Sequence, residues 1–478
     1  MRYRIIHPRG ISMLSVRLGS FFTVASVELG NTTTKCIVVT TNLKTAEVFE
    51  IGKEVRMTRD IRLPWDGETP FGHTITRRPL TREAVSEMVS DILTTTVKRN
   101  GMDMKTDLDF VVRSTGVTAG FAHPDEVDGM IRALADGCLN AGVPPGKMMA
   151  AMSVINLNPR LRSHSWLNKV HFDGAVASCL PPAGRQVVAN EMEGELVTAG
   201  IKGAAKGTGI DFRNPVATMD FGTTLAGRIT DDSYPYANTV ASFVGLAGAI
   251  PDAVVRGTGF VDRNEGCTID LTLPHKREEI EESSSWLEEA SRIITVDRVP
   301  RGVERFGTVP VDMRAAEEAD LTLLGVDVGC NGSRLADLGE IGLSIVQEKG
   351  PEILHSFLDH LQARIVHRLI ELAESEGLVN GRTSIGLTGR AITTGMKPEL
   401  ISSWLERSGV LPQREQDIVV FVEDGLAFGA AVAARCMNSL GTPHEPMGGR
   451  RGDRCIMGAR MAIQSGRAGE VRRNSADN

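Results

Sequence analysis

One device occurs twice in this chain and constrains what it can fold into. In V-A-S-V-E-L-G-N-T-T-T-K-C-I-V-V (24–39) a β-branched run delivers Glu28 and Gly30; Asn31, Thr32, Thr33, Thr34 and Lys35 follow, and a second β-branched run leaves. V-A-T-M-D-F-G-T-T-L-A-G-R-I-T (216–230) repeats it with Asp220, Gly222, Thr223 and Thr224. Each reads as strand, tight polar turn, strand. A turn of Gly and Thr exposes N–H groups and hydroxyls, donors suited to phosphate oxygens. A carboxylate at the end of the entering strand can hold Mg²⁺ through water. Two such hairpins facing each other would clamp a polyphosphate and its metal. A weaker third copy, L-T-L-L-G-V-D-V-G-C-N-G-S (321–333), puts Asp327 at a strand end, where an Asx-type turn is the plainer reading. The repetition points to a duplicated unit, not a short-period array.

Between and after the devices the pattern is α/β. Thr81 can cap a helix to Lys98, with Val85, Met88, Val89 and Ile92 on one face. A strand at 108–112 runs into R-S-T-G-V (113–117), and 124–141 reads as a helix. A charged helix is expected over 277–294, and the clearest one over 351–377, where Ile353, Phe357, Leu361, Ile365 and Leu369 recur every fourth residue. S-I-G-L-T-G-R-A-I-T-T-G (384–395) is a strand entering a glycine turn, where Gly386, Gly389 and Gly395 let backbone approach a nucleoside closely. A strand at 417–422 and a small-residue helix at 423–436 follow. Glu191, Glu193 and Glu195 alternate and read as a solvated acidic face. Lys35 is either a phosphate partner or a residue on a solvated hairpin face.

Composition narrows the partners. A net charge of −7 and a pI near 5.9 argue against nucleic acid. No apolar run approaches the roughly 18 residues of a membrane span. Arg2, Arg4, Pro8, Arg9 and Arg17 interrupt the start, so no secretory signal is read there; the patterned sequence begins near Phe21, which makes Met13 an alternative start. Cys36, Cys138, Cys179, Cys267, Cys330, Cys436 and Cys455 show no C-x-x-C pairing, so they are expected to be reduced, buried thiols of a cytoplasmic protein, not zinc ligands. Aromatics at 5% argue mildly against a sugar substrate.

The ordered set of hairpin, T-G strand (115–116), hairpin, glycine turn and small-residue helix resembles the ATPase superfamily of actin, hexokinase and the heat-shock chaperones. V-E-L-G-N-T-T-T-K-C is most similar to the activator ATPases of acyl-CoA dehydratases, and V-D-V-G-C-N-G to an element of corrinoid reductive activators. From about Phe21 to Ile463 the chain resembles the methanogenesis marker protein 14 family of archaea. The resemblance implies two ribonuclease-H-like lobes, 21–205 and 206–440, around a nucleotide cleft. An extension (1–20) would precede them and a mobile Gly/Arg-rich tail (441–478) would follow. It implies ATP and Mg²⁺ as cofactors. Gly30 to Lys35 and Gly222 to Thr224 would hold the phosphates. Asp220 and Glu28 would place the metal and the attacking water, and Gly386, Gly389 and Gly395 would lie against adenosine. It further implies an activator or assembly factor for a low-potential metalloenzyme, methyl-coenzyme M reductase or a corrinoid protein, with a protein client; a homodimer is compatible with it. Two departures stand out. Glu28 occupies the place of an aspartate. The segment S-F-V-G-L-A-G-A-I-P-D (242–252) has no cysteine where dehydratase activators hold an iron–sulfur cluster, so none is expected and the electron would come from a partner. A small-molecule kinase and a nucleotide-binding scaffold without turnover are the alternatives, the second favoured by Glu28.

Overall fold

The computed structural model describes residues 2–45, 47–116, 120–121, 125–148, 172–173, 176–177, 191–233, 237–272, 279–409 and 418–439. The tail at 441–478, Val117 of the R-S-T-G-V segment, and Cys179 and Cys455 lie outside them. The strands are β1 (Arg2–Ile6), β2 (Phe21–Leu29), β3 (Thr33–Asn42), β4 (Val48–Met57), β5 (Pro70–His73), β6 (Pro79–Thr81), β7 (Phe110–Thr115), β8 (Phe172–Asp173), β9 (Val176–Ala177), β10 (Val216–Phe221), β11 (Thr224–Thr230), β12 (Thr239–Leu246), β13 (Ile294–Arg298), β14 (Arg305–Phe306), β15 (Val309–Pro310), β16 (Thr322–Val328), β17 (Ser384–Thr388) and β18 (Ile418–Val422). The helices are α1 (Met13–Leu18), α2 (Arg82–Arg99), α3 (Asp125–Asn140), α4 (Glu191–Ala205), α5 (Ala249–Gly257), α6 (Ser285–Ile293), α7 (Met313–Glu318), α8 (Leu335–Lys349), α9 (Leu354–Ser375), α10 (Arg390–Thr393), α11 (Lys397–Ser408) and α12 (Gly425–Ser439).

Two sheets share one connectivity. The first runs β4-β3-β2-β7-β9-β8 and the second β1-β18-β17-β10-β11-β12-β16-β13. In each, three consecutive antiparallel strands (β2 to β4; β10 to β12) are extended by parallel ones laid beside the first strand (β7; β17 and β18). These are two ribonuclease-H-like lobes, and the duplication read from the hairpins is structural. The third copy is not a hairpin: β16 enters a loop and then α8. Residues 1–20, read as an extension, contain a strand of the second sheet. The charged helix is shorter than expected, Ser285–Ile293.

Alternation along β2 explains how the first lobe is covered. Ala25, Val27 and Leu29 point into a core shared with Val85, Val89 and Ile92 of α2, whose N-cap is Thr81 as expected. Phe22, Val24, Ile37 and Val39 point the other way, into a central cluster with Val420, Val422, Leu196 and Phe428. That cluster belongs to both lobes. The small-residue helix α12 leaves the second sheet and lies on the first, while α4 lies on β10 and β11 of the second. The two helices cross in close contact: a Cβ at Gly200 would sit 1.9 Å from Gly425 O, and one at Gly429 would sit 1.7 Å from Leu196 O. Only hydrogen fits there.

Candidate functional site

Period-two alternation also sets the acids. Glu28 is the last residue of β2 on the face that carries Val24, and Asp220 is the next-to-last residue of β10, opposite in direction to the core residues Met219 and Phe221. Both therefore open toward the space beneath α4 and α12. That space is a cleft of about 530 Å³ between the lobes, lined by Glu28, Gly30, Asn31, Thr32, Thr33 and Lys35 from one hairpin and Asp220, Gly222, Thr223 and Thr224 from the other. The volume suits a nucleotide-sized ligand. The hairpin tips touch, with Thr32 Oγ1 and Thr223 Oγ1 2.8 Å apart.

The first turn is fixed from behind. Gly30 N–H donates to Thr33 O, and a Cβ at Gly30 would lie 2.7 Å from that oxygen, so the turn needs glycine. Thr58 donates its hydroxyl to Gly30 O and shares a hydrogen bond with Thr34 Oγ1. Thr34 is thus fully buried and does not line the cleft. Asn31 is also structural: its amide donates to Gly116 O at 2.7 Å and accepts from Ile75 N–H at 2.8 Å. Gly389 lines the cleft at φ 98°. Gly386 and Gly395 do not. Gly386 lies mid-strand against Phe212 and Ile201, and Gly395 faces the Asp359 carboxylate from outside the lining.

Lys35 is no solvated hairpin residue. Cross-strand pairing places it opposite Glu28, and its Nζ lies 3.2 Å from Glu28 Oε2 and 3.4 Å from Asp424 Oδ1. Lys53 reaches Asp424 Oδ2 at 3.0 Å. Burial alone would lower the Lys35 pKa; Glu28, Asp424 and Asp220 outweigh it and raise it. Burial pushes Asp424 up, and the two lysines hold it below the ordinary range.

Glu193 corrects the reading of 191–195 as a solvated face. It is 7% exposed and lines the cleft, and its Oε1 has no hydrogen-bond partner. Burial, then the charges of Asp220 and Glu28, raise its pKa well above the carboxylate range. Asp220 is pushed up to about 7 by burial, with Lys35 opposing and Glu28 and Asp424 adding to the shift. Glu28 Oε2 likewise accepts no well-directed hydrogen bond despite its ion pair. Three carboxylates thus converge, and two of them, Glu28 and Glu193, keep unmet acceptor capacity.

Other wall residues have no role expected from the sequence. Asp252 accepts from Thr268 N–H (2.8 Å) and Oγ1 (3.0 Å), and burial pushes it up to about 6. Asp359 pairs with Lys397 at 2.7 Å beside the Gly389 turn. At the edge, Arg59 of the first lobe grips Asp270 of the second with two hydrogen bonds and donates to Glu265 O at 3.0 Å. Arg59 holds Asp270 down to about 2. Asp327 stays outside the cleft; its carboxylate accepts from Val328, Asn331 and Gly332 N–H, the Asx-type turn expected. Cys36, Cys138 and Cys267 are buried thiols, while Cys330 is exposed, contrary to expectation. Among the described residues no group of three or more His, Cys, Asp or Glu forms a ready metal cage, and no helix is long and apolar enough to cross a membrane.

Paired ribonuclease-H-like lobes closing on a Gly/Thr-walled acidic cleft define the actin-like ATPase fold. Within it, the chain belongs to a family described as uncharacterized proteins conserved in archaea (DUF2114), whose model matches residues 21–464. A protein of Methanothermobacter thermautotrophicus is 52% identical over 458 residues, covering 94% of this chain and 84% of the relative. One of Methanocaldococcus jannaschii is 50% identical over 459 residues, covering 96% and 94%. Among solved structures, the ethanolamine utilization protein EutJ from Carboxydothermus hydrogenoformans aligns over 86% of this chain and 89% of its own, at 11% identity and a TM-score of 0.35.

Proposed function

We propose that the cleft binds ATP with Mg²⁺ and hydrolyses it, and that lobe motion activates or assembles a low-potential metalloenzyme client of methanogenesis. The observation that carries the nucleotide reading is the convergence of Glu28, Glu193 and Asp220 between two Gly/Thr turns. With all acids ionised, the cleft floor holds four carboxylates, counting Asp424, against Lys35 and Lys53, a net −2. A divalent cation neutralises that charge, and the orphaned oxygens of Glu28 and Glu193 fit an oxygen-seeking ion held through water. Bound Mg²⁺ would supply charge neutralisation at the terminal phosphates. Asp220 and Glu28 would hold it. Gly30 to Thr33 and Gly222 to Thr224 would donate to phosphate oxygens. Glu193, aimed into the cleft and ionised once a cation offsets the charges of Asp220 and Glu28, is suited to take a proton from an attacking water. The Gly389 turn and the Asp359–Lys397 wall would receive the nucleoside. The client rests on the family resemblance, which suggests methyl-coenzyme M reductase or a corrinoid protein.

One observation favours a second reading, a nucleotide grip without turnover: the Glu28 carboxylate already contacts Lys35. The test is ATP turnover by purified protein with Mg²⁺, beside Asp220→Asn and Glu193→Gln, with and without anaerobic methanogen extract. Turnover lost in both variants and raised by extract supports the activator. Tight ATP binding with no turnover under any condition leaves the grip.

A further inference from the structure

The first residues of the chain form an extra crossing between the lobes. β1 adds to the second sheet parallel to β18, from Arg2 opposite Ile418 to Ile6 opposite Val422. Tyr3 meets Phe421 edge-on with ring centroids 6.0 Å apart, and Ile6 is buried in the central cluster. Three residues later the chain is on the first lobe. Glu50 N–H donates to Arg9 O at 2.9 Å and Ile11 N–H to Glu50 O at 3.2 Å, a parallel bridge on the edge of β4. Arg9 pairs with Glu47 at 2.9 Å and lies over the Phe49 ring. Then α1 anchors the segment: Val16 is buried, Met13 packs on the first-lobe core, and Arg17 grips Asp107 and Gly101 O.

The covalent crossing from β18 to α12 passes the same place. His7 Nδ1 lies 3.6 Å from Glu423 Oε1, and Glu423 lines the cleft. The two crossings run side by side, one ending in a bridge and the other in a helix. Three extended residues span at most about 11 Å, so the end of β1 and the edge of β4 cannot part further unless one ladder unzips. Close to the hinge, such a tether leaves small closing angles free and resists the twist and shear that would separate the sheet edges.

We propose that residues 2–11 are a hinge strap that restrains the lobes and sets their resting angle. The segment precedes residues 21–464, the span of the family match. It is independent of what occupies the cleft.

The test measures the distance between lobes in nucleotide-free protein. Spin labels go on Lys98→Cys in α2 and on the exposed native Cys330, with Cys179, Cys436 and Cys455 changed to Ser. Three chains are compared: the full chain, one lacking residues 1–12, and one with six Gly/Ser residues inserted between His7 and Pro8. The insertion preserves both pairings and adds a root-mean-square reach of roughly 13 Å. The full chain should give one narrow distance, and both altered chains a population at longer distance. An insertion variant with the distribution of the full chain overturns the strap. So does a change confined to the deletion, since packing of Tyr3 on Phe421, not tethering, would then be the role. Melting temperature of the insertion variant, expected to be that of the full chain, separates loosening from misfolding.

Discussion

Replacing Asp220 by Asn should stabilise the empty protein at high pH, because the folded state holds this carboxyl at about 7 against 3.8 in an unfolded chain. The folded protein binds a proton there that the unfolded chain has released, so the stabilising contribution is complete below about pH 4 and is lost as pH rises through about 7. The interval corresponds to on the order of 4 kcal/mol. Asp220 opens onto water in the cleft, which screens its charge, so about half, ~2 kcal/mol, is the expected gain. Asparagine keeps the shape and removes the titration, and Lys35 retains Glu28 and Asp424 as partners. The assay is urea unfolding in EDTA from about pH 4 to about pH 8. The stability gap between variant and natural protein should widen in favour of the variant across that range. Mg²⁺ added at about pH 8 should stabilise the natural protein more than the variant. A gap that is constant with pH, or that favours the natural protein at the alkaline end, refutes the charge accounting of the cleft.

Glu193→Gln should lower ATP turnover by about 10²-fold or more while nucleotide affinity, measured by calorimetry, stays within a few-fold. Asp270→Asn should speed nucleotide release by roughly tenfold in stopped flow, because the Arg59 grip across the cleft is weakened; Arg59→Lys should also speed release, since an ammonium cannot reproduce the paired contact. Gly429→Ala should destabilise the fold by several kcal/mol, or prevent folding, as its Cβ has no room beside Leu196 O, whereas Gly377→Ala, in open space, should cost about 1 kcal/mol from its left-handed φ alone. Denaturant melts distinguish the two.

Much of the fold was legible because its information is local. The strand–turn–strand devices need only β-branched runs and a Gly/Thr turn, and β2/β3 and β10/β11 form where that pattern lies. The period-four stripe from Ile353 to Leu369 became α9. What could not be read was which sheet a segment joins. Arg2–Ile6 has no hairpin partner nearby in sequence; its partner β18 lies at the other end of the chain. The glycines of 384–395 look alike in sequence, yet their roles depend on neighbours. Gly386 is packed between the sheet and α4, Gly389 approaches the Phe221 backbone, and only the second faces the cleft.

The site divides along the same line. Acids at strand ends are located by alternation, and Glu28 and Asp220 meet because each ends its strand on the face that the hinge helices cover. Glu193 obeys a different period. Read as alternating with Glu191 and Glu195, it belongs to a polar face. Read at helical spacing, it heads the stripe Glu193, Leu196, Val197, Gly200, Ile201, all of them buried against the second sheet and α12. A charged residue at the first position of an otherwise apolar stripe is costly to bury, and no cation pairs with it among the described residues. Its cost is tolerated at one place only along that stripe, where α4 reaches the cleft and Glu193, ionised together with Glu28, Asp220 and Asp424 against Lys35 and Lys53, would make a net −2 for a cation to meet. The burial that an alternation reading misses thus makes Glu193 the residue whose function is least explained by packing.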